Sequence, residues 1–127
     1  MSHSFDAVIL IAHGARDARW MEPFTRMQAD LAQRLSGQVV ALAYLEFAPP
    51  TFAEAADRVY RAGARRILVV PIFFSGGGHV ANDVPELVKT ATACHPDATF
   101  EIAGAIGEER EVAAGMIAAV VRLARLD

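Results

Sequence analysis

One cysteine, Cys94, is all that a chain of 127 residues contains. A lone cysteine closes no internal disulfide, and without close-spaced Cys or His pairs there is no closed structural zinc site. A reducing cytoplasm is the expected setting. Long apolar runs are missing too: Ala7 to Ala12 and Ile67 to Phe74 fall far short of the ~20 residues that span a bilayer, so no membrane partner is expected. The first residues lack the basic stretch and cleavage site of a secretory signal. Twelve basic and fifteen acidic residues leave a net charge of −3, which argues against a broad nucleic-acid surface. Neither a GxGxxG nor a Walker pattern occurs, so no nucleotide is expected. Low-complexity segments and linkers are absent as well, which predicts one domain over residues 1–127. What the chain does have is apolar residues, 54% of the total, an excess that points to surface buried against a partner.

Those residues alternate between short β-rich runs and longer segments of helical period. Ala7 to Ala12 (AVILIA) predicts a first strand, apolar throughout as in a sheet covered on both faces. Asp17 to Leu35 follows as a helix with Trp20, Phe24, Met27, Leu31 and Leu35 on one stripe. Pro23 suits only a first turn, so the regular helix should begin late, near Met21 or Glu22. Gln38 to Leu45 predicts the second strand. Thr51 and Glu54 then have the spacing of a capping box, opening a helix with Phe52, Ala56, Val59 and Tyr60 on one face. Arg66 to Phe74 is the third strand, expected to be central, with Pro71 marking a bulge or an early end. Asp83, Pro85 and Glu86 predict the start of a helix that ends near His95, with Asp83 as its cap. Thr99 to Ala103 is a short fourth strand, and Glu108 to Leu126 a closing helix with a wide apolar arc.

Four βα units in succession predict an α/β fold of three layers, a four-stranded parallel sheet with helices on both faces. Ligands of such sheets bind beyond the carboxyl ends of the strands, where the strand order reverses. The segments just past the strands are His13 to Arg16, Glu46 to Ala48, Ser75 to His79, and Gly104 to Gly107, and all should share one edge. A histidine at 13 or 79 alone could equally be a loop residue making a hydrogen bond. The pair, after strands expected to be adjacent, is more telling. Two neutral imidazoles and a carboxylate such as Glu46 suit a divalent transition ion with open coordination positions, held in order to be used or passed on. The amides of Ser75, Gly76, Gly77 and Gly78 can approach an anion closely, and Arg16 can pair with one. Phe47 could face a flat ligand, whereas Phe73 and Phe74 look like core. Cys94 should be packed on a helix, His95 should complement a helix C-terminus, and Arg19, Arg65 and Arg66 should lie on the surface.

In His13-Gly14-Ala15-Arg16, and in Pro71-Ile-Phe-Phe-Ser-Gly-Gly-Gly-His79-Val-Ala-Asn-Asp83-Val-Pro85, the sequence resembles the sirohydrochlorin chelatases, the short CbiX-type cobaltochelatases and SirB-like ferrochelatases. Leu45-Glu46 followed by Pro50-Thr51 resembles their segment after the second strand. The resemblance implies a chelatase fold of two similar α/β halves, of which 127 residues supply one, so a homodimer would complete the cleft. It implies a lyase that inserts Co²⁺ or Fe²⁺, or Ni²⁺, into a sirohydrochlorin-type tetrapyrrole in cobalamin or sirohaem synthesis, the metal being a substrate. His13, His79 and Glu46 would be the metal-binding and catalytic residues. Arg16 and the amides of Ser75 to Gly78 would receive the substrate's carboxylates. Two other readings compete with it. A carrier of metal or tetrapyrrole would use the same ligands without turnover. A phosphohistidine enzyme also has His-Gly after its first strand, but generally needs an arginine before that histidine, where this chain has Ala12.

Overall fold

The computed structural model describes residues 5–77 and 80–126, with the backbone alone at 80 and 81. The strands are β1 (Ala7–Ala12), β2 (Val39–Tyr44), β3 (Arg66–Pro71) and β4 (Thr99–Ile102). The helices are α1 (Glu22–Arg34), α2 (Phe52–Arg61), α3 (Val80–Cys94) and α4 (Arg110–Ala124), and 3-10 turns at Ala18–Trp20 and Ile106–Glu108 lead into α1 and α4. All strand pairs are parallel in the order β2-β1-β3-β4. That order places both β1 and β3 in the interior and puts the reversal of strand order at their junction, as the sequence predicts.

Every residue of β1 is buried. Its alternate side chains feed two separate cores, which is what a strand covered on both faces requires. Ile9 and Ile11, with Ile67 and Val69 of β3, pack against Phe52 and Val59 of α2 and Val84 and Val88 of α3. Burying each of these large side chains contributes roughly 1.5–3 kcal/mol. Val8, Leu10 and Ala12, with Val40 and Leu42 of β2, pack on the other face against Phe24 and Leu31 of α1 and Leu35 just past its end. The Thr51 hydroxyl accepts from the Glu54 amide at 3.2 Å and the Glu54 carboxylate accepts from the Thr51 amide at 2.8 Å, so the capping box forms. At the amino edge of the sheet the Asp6 carboxylate accepts from the amides of Arg65 and Arg66, both at 2.9 Å, joining the entry of β1 to that of β3.

Several expectations are corrected. The regular helix does begin late, at Glu22, as Pro23 suggested, but the residues before it, capped by Asp17, wind as a 3-10 turn over Ala18–Trp20. Trp20 therefore leaves the helical stripe and is 72% exposed; Met27 is exposed as well. Of the two readings of Pro71 the early end holds: β3 stops at that residue, which has no N–H to donate. Phe73 is buried beyond it but Phe74 is 76% exposed, so only one of the two belongs to the core. α3 starts at Val80, one turn earlier than the capping signal suggested. Asp83 thus lies in its first turn, and Pro85 is inside the helix, where its ring forgoes a single backbone bond near the start. Cys94 is exposed rather than packed. Among the described residues no helix is long and apolar enough to cross a membrane.

Candidate functional site

Parallel strands bring the described parts of the four post-strand segments to one edge, and the backbone fixes two of them to each other. Pairing between β1 and β2 continues past the strand ends: the Leu45 amide donates to the Ala12 carbonyl at 2.8 Å, and the Glu46 amide to the His13 carbonyl at 3.0 Å. The backbones of His13 and Glu46 are therefore joined directly, in one rung between the two segments. Gly14 makes this possible. Its φ is +91°, a conformation costly for any residue with a side chain, and a Cβ there would collide with the Glu46 carbonyl oxygen.

The exposed His13 ring meets the edge of Phe73, with centroids 4.6 Å apart and planes at 67°. Phe73 is anchored in turn, because its carbonyl accepts from the Gly107 amide at 2.9 Å. The imidazole thus has an apolar wall supplied by the segment after β3. On the β2 side the Arg16 guanidinium lies over the Phe47 ring, 4.8 Å from its centroid. Phe47 itself has a φ of +72°, unusual for a bulky residue and consistent with a backbone held for function. Its exposed ring and the cation above it form a flat, positively charged platform beside Glu46.

Behind Glu46 lies an open cleft of about 390 Å³ lined by Leu45, Glu46, Asp83, Glu86 and Leu87. Its three carboxylates favour a hydrated divalent cation and disfavour an anion. The sequence reading missed Asp83 and Glu86, assigning them to capping. Their i, i+3 spacing at the start of a helix that follows β3 was the available signal, since such a pair presents one face to the sheet's carboxyl edge. A second hollow of about 200 Å³ sits past β3 and β4, between Pro71, Val84, Ala105 and Glu108.

Of the expected anion-binding amides, that of Gly76 points toward the Glu108 carboxylate at 3.5 Å, so a carboxylate of the chain itself stands where a substrate group was expected. Ser75 and Gly77 are exposed at the same edge. Gly78 and His79 lie outside the described residues. Among the described residues no three His, Cys, Asp or Glu side chains gather closely enough to hold a metal ion. His13 and Glu46 are the two of the expected set whose backbones the described structure joins.

The other singled-out residues lie elsewhere. His95 stacks on Tyr60 with ring centroids 4.3 Å apart. The Tyr60 hydroxyl donates to Asp97 at 2.7 Å, and Arg65 pairs with Asp97 at 3.3 Å, which ties α2 to the end of α3. The Tyr60 hydrogen bond and the nearby Arg65 hold the Asp97 carboxyl below its ordinary range. Arg66 covers the Phe5 ring, and Arg19 is bound to Asp17.

Comparison with known proteins agrees with this geometry. The CbiX family model matches residues 7–123. A sirohydrochlorin cobaltochelatase of Methanocaldococcus jannaschii is 31% identical over 83 residues, 65% of this chain and 58% of that protein. The corresponding protein of Saccharolobus solfataricus is 33% identical over 81 residues, 64% and 62% respectively. The matched region thus spans about three fifths of these relatives. Among solved structures, a CbiX protein of Marinobacter aquaeolei VT8 superposes with a TM-score of 0.81 at 30% identity, over 94% of this chain and 98% of that one. The sirohydrochlorin chelatase SirB of Bacillus subtilis subspecies spizizenii, in complex with cobalt, shares the fold, with a TM-score of 0.81 at 22% identity. The match covers 91% of this chain but 50% of SirB.

Proposed function

Starting from the fact that this chain belongs to the CbiX family, we propose that it is a sirohydrochlorin chelatase that inserts Co²⁺ or Fe²⁺, with Ni²⁺ a further candidate, into a sirohydrochlorin-type tetrapyrrole. The carrying observation is the fixed adjacency of His13 and Glu46 at the carboxyl edge of the sheet. In this reading His13 and His79 hold the incoming ion through neutral imidazole nitrogens, and Glu46 is a third ligand or a proton acceptor. The acidic cleft of Glu46, Asp83 and Glu86 supplies the ion. Arg16 and Phe47 face the macrocycle, the cation pairing with a peripheral carboxylate and the ring lying against the plane. Amides of the Ser75 to Gly78 loop take other carboxylates.

Insertion exchanges two pyrrole N–H protons for one M²⁺, so the two protons must leave the ring. Glu46 accepts one and passes it to water, and the second leaves in the same way. Contact with a shaped wall bends the ring and exposes a nitrogen lone pair. No nucleotide enters the balance. The reaction takes place in the cytoplasm, and two copies of the chain form the working cleft. The fold matching half of SirB supports this pairing.

The test is a spectroscopic assay of purified protein with sirohydrochlorin and each of Co²⁺, Fe²⁺ and Ni²⁺. Wild type should form many equivalents of metallated product per chain. His13→Ala should lose insertion while still folding, and Glu46→Gln should lose at least tenfold. Binding of one equivalent without turnover would make the protein a carrier instead, and wild-type rates in both variants would overturn the site.

A further inference from the structure

The segments that follow β3 and β4 are pressed together by their backbones. The Gly107 amide donates to the Phe73 carbonyl at 2.9 Å, and a Cβ on Gly107 would strike the Phe74 backbone. Ala105, just before the same turn, is buried, and its carbonyl accepts from the Glu108 amide at 3.0 Å. On the opposite flank the Ile72 amide donates to the Ile11 carbonyl at 2.8 Å. The chain entering Ser75 is thus held from both sides by main-chain bonds and needs no side chain to keep it there.

One side chain reaches it all the same. The Glu108 carboxylate lies 3.5 Å from the Gly76 amide, and both residues line the hollow of about 200 Å³ between these segments and Val84 and Pro85 of α3. The contact is long and exposed, so it adds little to stability. Among the described residues no cation pairs with Glu108, and its partner is the amide. A carboxylate set on a backbone N–H is the arrangement this edge offers to an incoming anion, here filled from within.

We propose that Glu108 is an internal occupant of a carboxylate-binding amide at Gly76, which a carboxylate of the substrate must displace. It rests on the reading above for the displacing group, a peripheral carboxylate of a tetrapyrrole. The exchange is one acceptor for another, so the amide is left unpaired neither before nor after it. Occupancy by Glu108 lowers the affinity of every ligand that uses this amide by one common factor, the fraction of time the amide is open. A macrocycle already held at Arg16 and Phe47 tolerates that factor, because its other carboxylates arrive at high effective concentration. Small free carboxylates lack the second anchor and do not accumulate. Product carries the same carboxylates as substrate, so the returning side chain also eases release. Glu108 is therefore a specificity-determining residue that acts through the Gly76 amide.

Three variants of the full chain separate this role from a brace or a remote charge. Glu108→Ala empties the amide, Glu108→Asp keeps the charge but is a methylene too short, and Glu108→Gln keeps reach and an acceptor without charge. Calorimetric titration with metal-free sirohydrochlorin should give a Kd about two- to fivefold lower for the Ala and Asp variants, with Gln between them and wild type. The Gly76 amide signal in ¹⁵N–¹H correlation spectra should move in the Ala and Asp variants before any ligand is added. In turnover the KM for sirohydrochlorin should fall by the same factor, the KM for Co²⁺ should stay, and kcat should not rise. Weaker binding by Glu108→Ala would make the contact a loop brace and overturn the proposal. Tightening in Ala and Gln but not Asp would reduce it to remote charge repulsion and overturn it, as would an unmoved Gly76 signal or an unchanged Kd. The chelatase reading fails separately. A wild type that binds sirohydrochlorin without inserting metal loses that reading alone, and one that does not bind it loses both.

Discussion

Replacing Gly14 by alanine puts the His13–Glu46 rung under a defined load. Gly14 has a φ of +91°, and an added Cβ would run into the Glu46 carbonyl oxygen and approach the Tyr44 Cβ to 3.1 Å. Gly37 provides the control, because its φ is +94° and nothing lies within 4 Å of an added Cβ there. The backbone cost is thus common to both positions: about 1–2 kcal/mol for the left-handed conformation, less about 0.4–1 kcal/mol because alanine also restricts the unfolded chain. Gly14→Ala alone pays for the collision, about 1–3 kcal/mol of overpacking. The expected loss is about 0.5–1 kcal/mol for Gly37→Ala and about 1.5–4 kcal/mol for Gly14→Ala. Urea denaturation at one fixed protein concentration, needed because assembly adds to apparent stability, should place the two midpoints about 1 M apart. Relief of the collision must also shift Glu46 relative to His13, so metal insertion should fall further than the folded fraction explains. Equal midpoints for the two variants, or full turnover in Gly14→Ala, would refute the claim that this glycine sets the spacing of the site.

Two further outcomes follow from local contacts. The amides of Arg65 and Arg66 hold the Asp6 carboxyl below its ordinary value, so its contribution to stability is complete above the unfolded pKa of ~3.9 and vanishes as pH falls through the lower folded value. Asp6→Asn should therefore lower Tm at pH 6, with the gap to wild type narrowing below about pH 4; a gap constant from pH 6 to pH 3 contradicts the assignment. Thr51→Ala removes the acceptor for the Glu54 amide and should cost about 1 kcal/mol, or about 4 °C in Tm by calorimetry. No change would mean that α2 is held by Phe52 and Val59 alone.

Strand and helix order was legible because each unit signals itself locally. The AVILIA run of β1, the Thr51–Glu54 spacing and the glycine after α1 each act within a few residues, and the parallel topology follows from their alternation. The shared edge of His13 and Glu46 was legible for the same reason. What escaped depends on contacts distant in sequence. The apolar period of α4 is that of a helix on a sheet, and nothing in it records that the turn before it is pinned to Phe73 and Phe74. Asp83 and Glu86 carry a capping pattern in sequence whether the helix starts at Val80 or at Val84. Only the start at Val80 places them at a cleft wall opposite Glu46. Trp20 kept the spacing of α1 on paper and lost it in three dimensions, because the chain there winds as a 3-10 turn.

The ladder bond from the Glu46 amide to the His13 carbonyl uses main-chain atoms only. The side chain at 46 is consequently a replaceable fitting on a fixed mount. Aspartate, glutamine, histidine or cysteine can each be set there with the backbone held in register by that main-chain bond. A designer wishing to retune which ion the protein prefers can therefore vary donor hardness at one position while the main-chain mount stays in place. A set of such variants would report donor chemistry free of the structural drift that usually confounds ligand exchange on loops.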